Sequence, residues 1–466
     1  MAGVMTEHAV RFYPKASAGR LERAGLFLRR HRSAIIAVQW VVVLFYATLV
    51  IVPAFLPLPP ENAHIWDNLR LFAQFCFWGI WWPGVMIATV TLGRVWCGLF
   101  CPEGALTEWV SRFGRGKPVP GWIKWSGWPF FAFISTTVYG QLVSVYEYPQ
   151  AALLILGGST VAAVALGLLY GREKRIWCRY LCPASGVFAA LAKIAPLHYK
   201  VDRAAWEGHE GRFEAVNCAP LVDIRRMTSA SDCHSCGRCA GQRDAVRWSF
   251  RSPAAEILDP AAPARTRDAV TLIFGVLGIA TAAFQWTLSP WLRDIKLSLA
   301  EWLVEHEHFA LLDNNAPWWL LTHYPEASDV FTWLDGGLVL GYLLGGGIIL
   351  GFLLLSGPAA AARFSRSTYL TWQRYSLALT PLGGASVILG LSMLTVTHLK
   401  AEHFWLGWLP VFRISLLAAG CLGSAWLALC LARRASARFA PVLAAAVMLF
   451  PIGLMAALWS LVFFVW

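Results

Sequence analysis

Cys233-His234-Ser235-Cys236-Gly237-Arg238-Cys239 places three thiols at a Cys-x2-Cys-x2-Cys spacing. Three thiolates so spaced wrap one corner of a cubane iron–sulfur cluster, and the fourth ligand must come from elsewhere. In two-cluster ferredoxins the fourth Cys of each Cys-x2-Cys-x2-Cys-x3-Cys-Pro run ligates the other cluster. Counting back from Cys218, which precedes Ala219-Pro220, the other three cysteines of such a run would stand at Gly208, Gly211 and Glu214. Counting forward from Cys239, the fourth would stand at Arg243. One cluster has therefore lost all four ligands, while the other keeps Cys218, Cys233, Cys236 and Cys239. The expectation is one [4Fe–4S] cluster on these four residues. Zinc on the same thiolates is the competing reading, although zinc knuckles more often use paired Cys-x2-Cys units.

A second constellation is a repeat. Arg94-Val-Trp-Cys97-Gly-Leu-Phe-Cys101-Pro102 recurs 81 residues later as Arg175-Ile-Trp-Cys178-Arg-Tyr-Leu-Cys182-Pro183, identical at five of nine positions. Cysteines at i and i+4 share a helix face, so two copies side by side would gather Cys97, Cys101, Cys178 and Cys182. Four such thiols suit a soft metal, Cu(I) or a second iron–sulfur centre. The plainer reading is a structural turn with free thiols. Cys76, Cys421 and Cys430 stand alone in apolar segments and read as packing.

The elements that hold these residues are membrane spans. Apolar residues make up 57% of the 466, and charged residues only 14%, against about 45–50% and about 25% in soluble domains. These figures exclude a soluble globule and a disordered chain. Apolar runs of spanning length define an all-α polytopic membrane protein with about nine transmembrane helices, near 34–56, 71–92, 122–146, 151–170, 269–290, 332–356, 375–397, 409–432 and 441–464. Residues 1–33 form a basic N-terminus. Residues 34–170 form a four-helix core holding the first Cys-x3-Cys-Pro motif. Residues 171–268 form a small ferredoxin-like insert with the second motif, and 269–466 form a five-helix region with an outside loop at 291–331. With the N-terminus inside, inside segments hold 33 Lys and Arg and outside segments hold four. The positive-inside rule then puts the N-terminus and all eight clustered cysteines in the cytoplasm, where disulfides are rare. The net charge of +12 is explained the same way, and no nucleic-acid partner is expected.

Six of the eleven histidines fall in outside segments. Of these, His306, His308, His398 and His403 could converge on a metal ion. Asp335 and Arg413 lie about one turn inside the outer ends of their spans, and a charge there needs a partner or water. Either they pair, or each separately reaches interfacial water. Span 6 carries Gly337, Gly341, Gly345, Gly347 and Gly351, whose spacing lets helices approach closely.

Two Cys-x3-Cys-Pro motifs ending membrane hairpins, followed by a ferredoxin segment, resemble the polyferredoxin-like membrane iron–sulfur proteins of the NapH/NosR type. The resemblance covers about residues 34–255. It implies electron transfer between the cytoplasmic side or the quinone pool and periplasmic metalloproteins, in a bacterial inner membrane. The chain departs from the family in keeping one ferredoxin cluster where two are usual. It also has no N-terminal periplasmic flavin domain, as the nitrous-oxide-reductase maturation branch has. It ends in further spans, whereas the cytochrome-oxidase accessory branch ends in a periplasmic β-domain. The architecture is most similar to the ferredoxin-like subunit of periplasmic ferrous-iron uptake systems, with iron permease subunits as partners and a metal reductase or oxidase role. A copper- or iron-binding permease and a redox-complex assembly factor are the alternatives. A cytoplasmic cluster and a periplasmic partner would be separated by about 30 Å of hydrocarbon, and the sequence shows no carrier between them.

Overall fold

The computed structural model describes residues 18–60, 62–210, 216–435 and 439–466. The positions of Gly211 and Glu214, and most of the basic N-terminus, lie outside the described residues. Among the described residues eight helices are long and apolar enough to cross a membrane: Arg32–Phe55, Leu69–Leu92, Pro149–Tyr170, Thr266–Leu288, Trp333–Ser365, Thr380–Ala401, Leu409–Ala432 and Ala440–Val465. The segment expected to span 122–146 forms a helix only over Trp128–Leu142, about 22 Å at 1.5 Å per residue. Turns around Trp122 and Trp125 precede it, and Ser144, left-handed at φ 49°, follows it. The seventh span also begins later than expected, because Trp372–Leu377 forms a separate short helix. Its last turn therefore takes in His398 and Lys400.

Contacts between loops sort into two sets. On one face His64 Nδ1 meets Glu402 Oε2 at 2.8 Å, Ser144 Oγ meets Thr322 Oγ1 at 2.7 Å, and the Tyr148 hydroxyl donates to Asp329 Oδ2 at 2.9 Å. On the other, Arg374 Nη1 donates to the Ile257 carbonyl at 2.7 Å, and Asp232 binds Arg179, Arg265 and Arg267 at 2.6–3.0 Å. Each contact joins segments expected on the same side. The loop after Leu142 belongs to the first set and the loop before Trp128 leads from the second, so the short helix must cross as well. The chain is thus an all-α polytopic protein of eight long spans and one short one.

Spans 5 and 6 pack closely because glycine faces glycine. A Cβ on Gly278 would come within 2.6 Å of the Gly347 carbonyl, and one on Gly351 within 2.3 Å of Phe274. Gly337, Gly341 and Gly345 meet no neighbour within 4 Å, so only the second half of the glycine stripe serves this packing.

The insert is small. Strands β1 (Leu197–Val201) and β2 (Val246–Phe250) pair antiparallel, with Leu197 opposite Phe250 and Val201 opposite Val246. A buried charge network holds it to the membrane core. Lys193 Nζ lies 3.1 Å from Glu256 Oε1 and 3.0 Å from Asp268 Oδ2, and Arg251 Nη1 lies 2.7 Å from Glu256 Oε2. Glu256 also accepts from the Ala230 N–H at 3.0 Å, three residues before Cys233. Burial would push the Glu256 carboxyl up, but Lys193 and Arg251 pull it down to about 2. Its stabilising contribution is complete above the ordinary value of 4.5 and is lost as pH falls from there toward 2. Glu256→Gln leaves two buried cations short of an anion and should cost about 3–5 kcal/mol. Thermal unfolding in detergent measures this, and a loss below about 1 kcal/mol, the range of an exposed pair, would show the network to be dispensable.

Candidate functional site

The ferredoxin-like loop wraps because two of its residues adopt left-handed backbone. Ser235 has φ 49° and Gly237 φ 79°, which turns Cys233, Cys236 and Cys239 toward one pocket that Cys218 also lines. The Ser235 N–H donates to Cys233 Sγ at 3.4 Å, the kind of bond that tunes an iron–sulfur centre. Burial and the neighbouring thiols push Cys233 up to about 12, and Cys239 is also raised well above the ordinary thiol value. Such thiols resist ionisation until a metal cation displaces their protons.

Donors without acceptors test whether a cluster suits this pocket. The Tyr199 hydroxyl, His234 Nδ1 and Arg238 Nη1 are buried, have no hydrogen-bond partner and belong to residues lining the pocket. Buried donors of this kind are costly, and the sulfurs of a cluster would accept from them. The residues present therefore fit the group. The helix Ala18–Arg30 covers the pocket from outside. Arg29 Nη1 donates to the Ala240 carbonyl at 2.9 Å, and Leu28 Cβ lies 2.6 Å from where a Cβ on Gly237 would stand.

Arg243, which stands where the spacing would put a fourth cysteine, stacks on Trp206 with 5.1 Å from Cζ to the ring centroid and donates to its carbonyl at 3.2 Å. A cation–π pair stands where a ligand would be.

The two repeats fold alike. Val95–Leu99 and Ile176–Tyr180 are short helices, and Cys101 and Cys182 cap the helices that begin at Pro102 and Pro183. Proline at the first helical position suits its fixed φ. The Cys101 N–H bonds the Trp96 carbonyl at 3.0 Å, and the Cys182 N–H bonds the Trp177 carbonyl at 3.0 Å. Cross-links knit the copies together: Arg175 Nη1 donates to the Cys97 carbonyl, and Trp177 Nε1 donates to Glu103 Oε2 at 2.9 Å. Cys97, Cys101, Cys178 and Cys182 all line one cavity. Burial and thiol crowding push Cys101 up to about 12 and Cys178 and Cys182 well above the ordinary thiol value.

Among the described residues no three His, Cys, Asp or Glu close on a single metal ion. A lone tetrahedral ion with metal–sulfur bonds of about 2.3 Å needs sulfurs roughly 3.8 Å apart, whereas a cubane holds its thiolates wider.

The two quartets adjoin. A Cβ on Gly98, next to Cys97, would lie 2.1 Å from the His234 carbonyl and 2.9 Å from the Cys236 nitrogen. Only glycine permits this approach of two backbones. His234, 2% exposed, borders both the cluster pocket and the cavity.

Buried cations flank both sets. Arg94 and Arg175, the first residue of each repeat, are 3% and 1% exposed. Arg175 Nε lies 2.8 Å from Glu108 Oε2, and Glu108 also binds Arg238. Arg94 bonds a carbonyl and a hydroxyl, Ser231 O at 2.6 Å and Ser185 Oγ at 3.0 Å. Among the described residues no carboxylate lies within ion-pair distance of it; Cys97, the Asp232 carboxylate and Cys182 are the groups that act on its charge. A buried cation is expensive without a close anion, and a negatively charged thiolate–metal core would add one. Sequence reasoning quoted both arginines in the repeat without assigning them a role. Their recurrence beside each Trp-Cys was the available signal. Glu108 and His234 carried no such signal.

Among the described residues His306, His308, His398 and His403 are not gathered into one metal-holding group. His306 Nδ1 bonds the Trp302 carbonyl at 2.8 Å and its ring stacks on Trp302, which His308 also meets. His398 Nδ1 bonds the Leu394 carbonyl at 2.8 Å, and His403 is exposed at φ 59°. The Asp335–Arg413 pair does not form either. Asp335 closes a capping box with Thr332 and binds Lys296 from the outside helix. Arg413 Cζ lies 4.0 Å over the Phe463 ring. Each charge found a nearer partner that spacing along the chain could not show.

This geometry defines a multi-pass membrane protein with adjoining cysteine quartets at one membrane edge. Residues 75–120 and 152–201 match the 4Fe-4S binding domain family. These stretches hold the two Cys-x3-Cys-Pro repeats, and Cys218 to Cys239 lie outside them. The chain is 22% identical over 231 residues to "Putative electron transport protein YccM" of Escherichia coli, covering 43% of this chain and 64% of that protein. It is 28% identical over 180 residues to the regulatory protein NosR of Pseudomonas aeruginosa, covering 34% and 25%. It is 29% identical over 182 residues to the protein NirI of Paracoccus denitrificans, covering 34% and 26%. The chain thus spans less than two thirds of each relative. No solved structure matches. Over these stretches the chain is similar to membrane electron-transport proteins with a 4Fe-4S binding domain.

Proposed function

We propose that the protein transfers electrons within a bacterial inner membrane through two adjoining iron–sulfur centres. Cys218, Cys233, Cys236 and Cys239 hold one, and Cys97, Cys101, Cys178 and Cys182 hold the other. The second centre enlarges the expectation of a single cluster, because the match to the 4Fe-4S binding family falls on the repeats. The observation that carries the reading is the contact at Gly98, which sets one quartet's backbone against the other's. When bound, each centre supplies one-electron oxidation and reduction. The chain's own residues hold the thiols, exclude water and balance charge with Arg94 and Arg175. The N-terminus and both quartets are cytoplasmic in this reading, which the charge distribution supports. Electrons pass between that side or the quinone pool and a periplasmic metal-handling partner, with ferrous-iron uptake as the process the architecture suits. A permease reading is weaker, since Asp335 and Arg413 near the span ends are committed to Lys296 and Phe463.

The test is paired substitution. Cys236→Ser and Cys182→Ser should each remove about four irons and one of two EPR signals from the reduced protein, each leaving the other signal in place. Wild-type iron content and unchanged spectra in either variant would contradict its quartet.

A further inference from the structure

We propose that the loop after the first cysteine repeat forms, with the end of the fourth span, a binding site for an anionic phospholipid, whose phosphate sits on Arg112, Arg115, Lys117 and Arg172. The proposal stands apart from the redox reading, since it needs no metal in either quartet.

No Asp or Glu occurs between Glu108 and Glu147, so the loop brings cations and no anion of its own. Charge bias explains which face these cations take. The fold explains why they are gathered. The Arg115 N–H donates to the Leu168 carbonyl at 2.8 Å, and the Lys117 N–H donates to the Leu169 carbonyl at 3.1 Å. The loop therefore lies along the last turn of Pro149–Tyr170 and takes up carbonyls that a helix end leaves free. Glycine permits this approach. A Cβ on Gly114 would run into the Gly167 and Gly171 carbonyls, and one on Gly116, left-handed at φ 61°, into the Arg172 side chain. Arg172 thus crosses the loop at the residue between Arg115 and Lys117. Arg112 belongs to the turn Ser111–Phe113, which packs on the same span.

All four cations are exposed, and among the described residues none of them forms an ion pair. The carboxylates beside them are engaged elsewhere. Glu108 binds Arg175 and Arg238, and Glu173 accepts from Asn217 Nδ2 at 2.9 Å. Like charges held together repel, and a phosphate, which accepts from several Arg and Lys donors at once, relieves that repulsion.

Apolar neighbours select a lipid over a soluble anion. Trp109, Phe113, Leu168 and Leu169 are exposed beside the cations. Trp109 meets Phe113 at 5.6 Å and Trp40 at 5.3 Å between ring centroids. Trp40 stands about 12 Å from the start of Arg32–Phe55 at 1.5 Å per residue, so this wall runs from the cations to the depth of acyl chains. Farther along the loop, Trp122 and Trp125 are exposed, as tryptophans at headgroup level are. The helix that follows, Trp128–Leu142, is shorter than the hydrocarbon layer, and short spans are met by bilayer thinning and by snorkelling flanks.

The experiment titrates the full chain, delipidated in detergent, with dioleoyl phosphatidylglycerol or dioleoyl phosphatidylcholine and counts bound lipid by native mass spectrometry. The first phosphatidylglycerol should bind about tenfold or more tighter than phosphatidylcholine. Arg112→Gln/Arg115→Gln/Arg172→Gln should abolish that preference and keep the wild-type iron and sulfide content. Lys117→Gln/Arg172→Gln should lower it and serves where the triple variant fails to fold. Arg363→Gln/Arg366→Gln/Arg433→Gln removes as much charge from the same face, at the ends of spans 6 and 8, and should leave the preference intact. Millimolar inorganic phosphate should leave phosphatidylglycerol bound. Equal affinity for the two lipids in the wild type, an unchanged preference in the first triple variant, or an equal loss in the second would overturn the site. Full displacement by phosphate would overturn the lipid in favour of a soluble anion. Each result is read whether or not the quartets hold iron, so failure here and failure of the redox reading are separate outcomes.

Discussion

Gly98→Val should strip iron from both quartets. A Cβ at this position would sit 2.1 Å from the His234 carbonyl and 3.0 Å from Cys236 Cα. These are backbone atoms, so no flexible side chain can move aside. Either the helix bearing Cys97 shifts or the loop bearing Cys233, Cys236 and Cys239 does. Overpacking of this kind costs about 1–3 kcal/mol or more, and here the displaced atoms adjoin the ligands. The expected result is an iron content at most half that of wild type, with Gly98→Ala intermediate. Wild-type iron content and spectra in Gly98→Val would mean that the quartets are not in contact.

Arg94→Leu should lower the midpoint potential of the centre held by the repeats. Arg94 is buried, lies within ion-pair distance of no carboxylate among the described residues, and feels Cys97, Asp232 and Cys182. Adding an electron to a nearby centre is easier beside a cation, so removing the cation makes reduction harder. For a unit charge about 5 Å away at an effective dielectric of about 20, the shift is on the order of 100 mV to more negative values. Arg94→Lys keeps the charge and should recover much of it. A redox titration followed by EPR reads the change. A potential unmoved by Arg94→Leu would show that the guanidinium does not face the centre.

The spans were legible because membrane-length apolar runs leave little ambiguity. Six of the nine lie within a few residues of their expected bounds, and the sixth runs on to Ser365, nine residues past its expected end. The third ran short because its flanking aromatics, Trp122 and Trp125, read as apolar yet sit in turns. The seventh shifted because the apolar stretch before Thr380 belongs to a separate short helix. Both quartets were legible from spacing and repetition, and the folded chain places each on one pocket. What spacing could not show was the contact between them. Gly98 reads as an ordinary loop glycine until the insert folds back across it. The buried charges were hidden for a related reason. Glu108 binds Arg175 and Arg238, residues 67 and 130 positions away, and no local pattern announces such partners. Asp335 shows the same limit, since its cation came from the outside helix and not from another span.

The central claim is that one chain holds two adjoining iron–sulfur centres, and metal and sulfide analysis of the anaerobically purified wild type tests it most directly. The expected result is about eight irons and about eight acid-labile sulfides per chain, with EPR signals of the reduced protein broadened by interaction between two neighbouring paramagnets. A chain holding about four irons and a single unbroadened signal, or zinc in place of iron, would contradict the account.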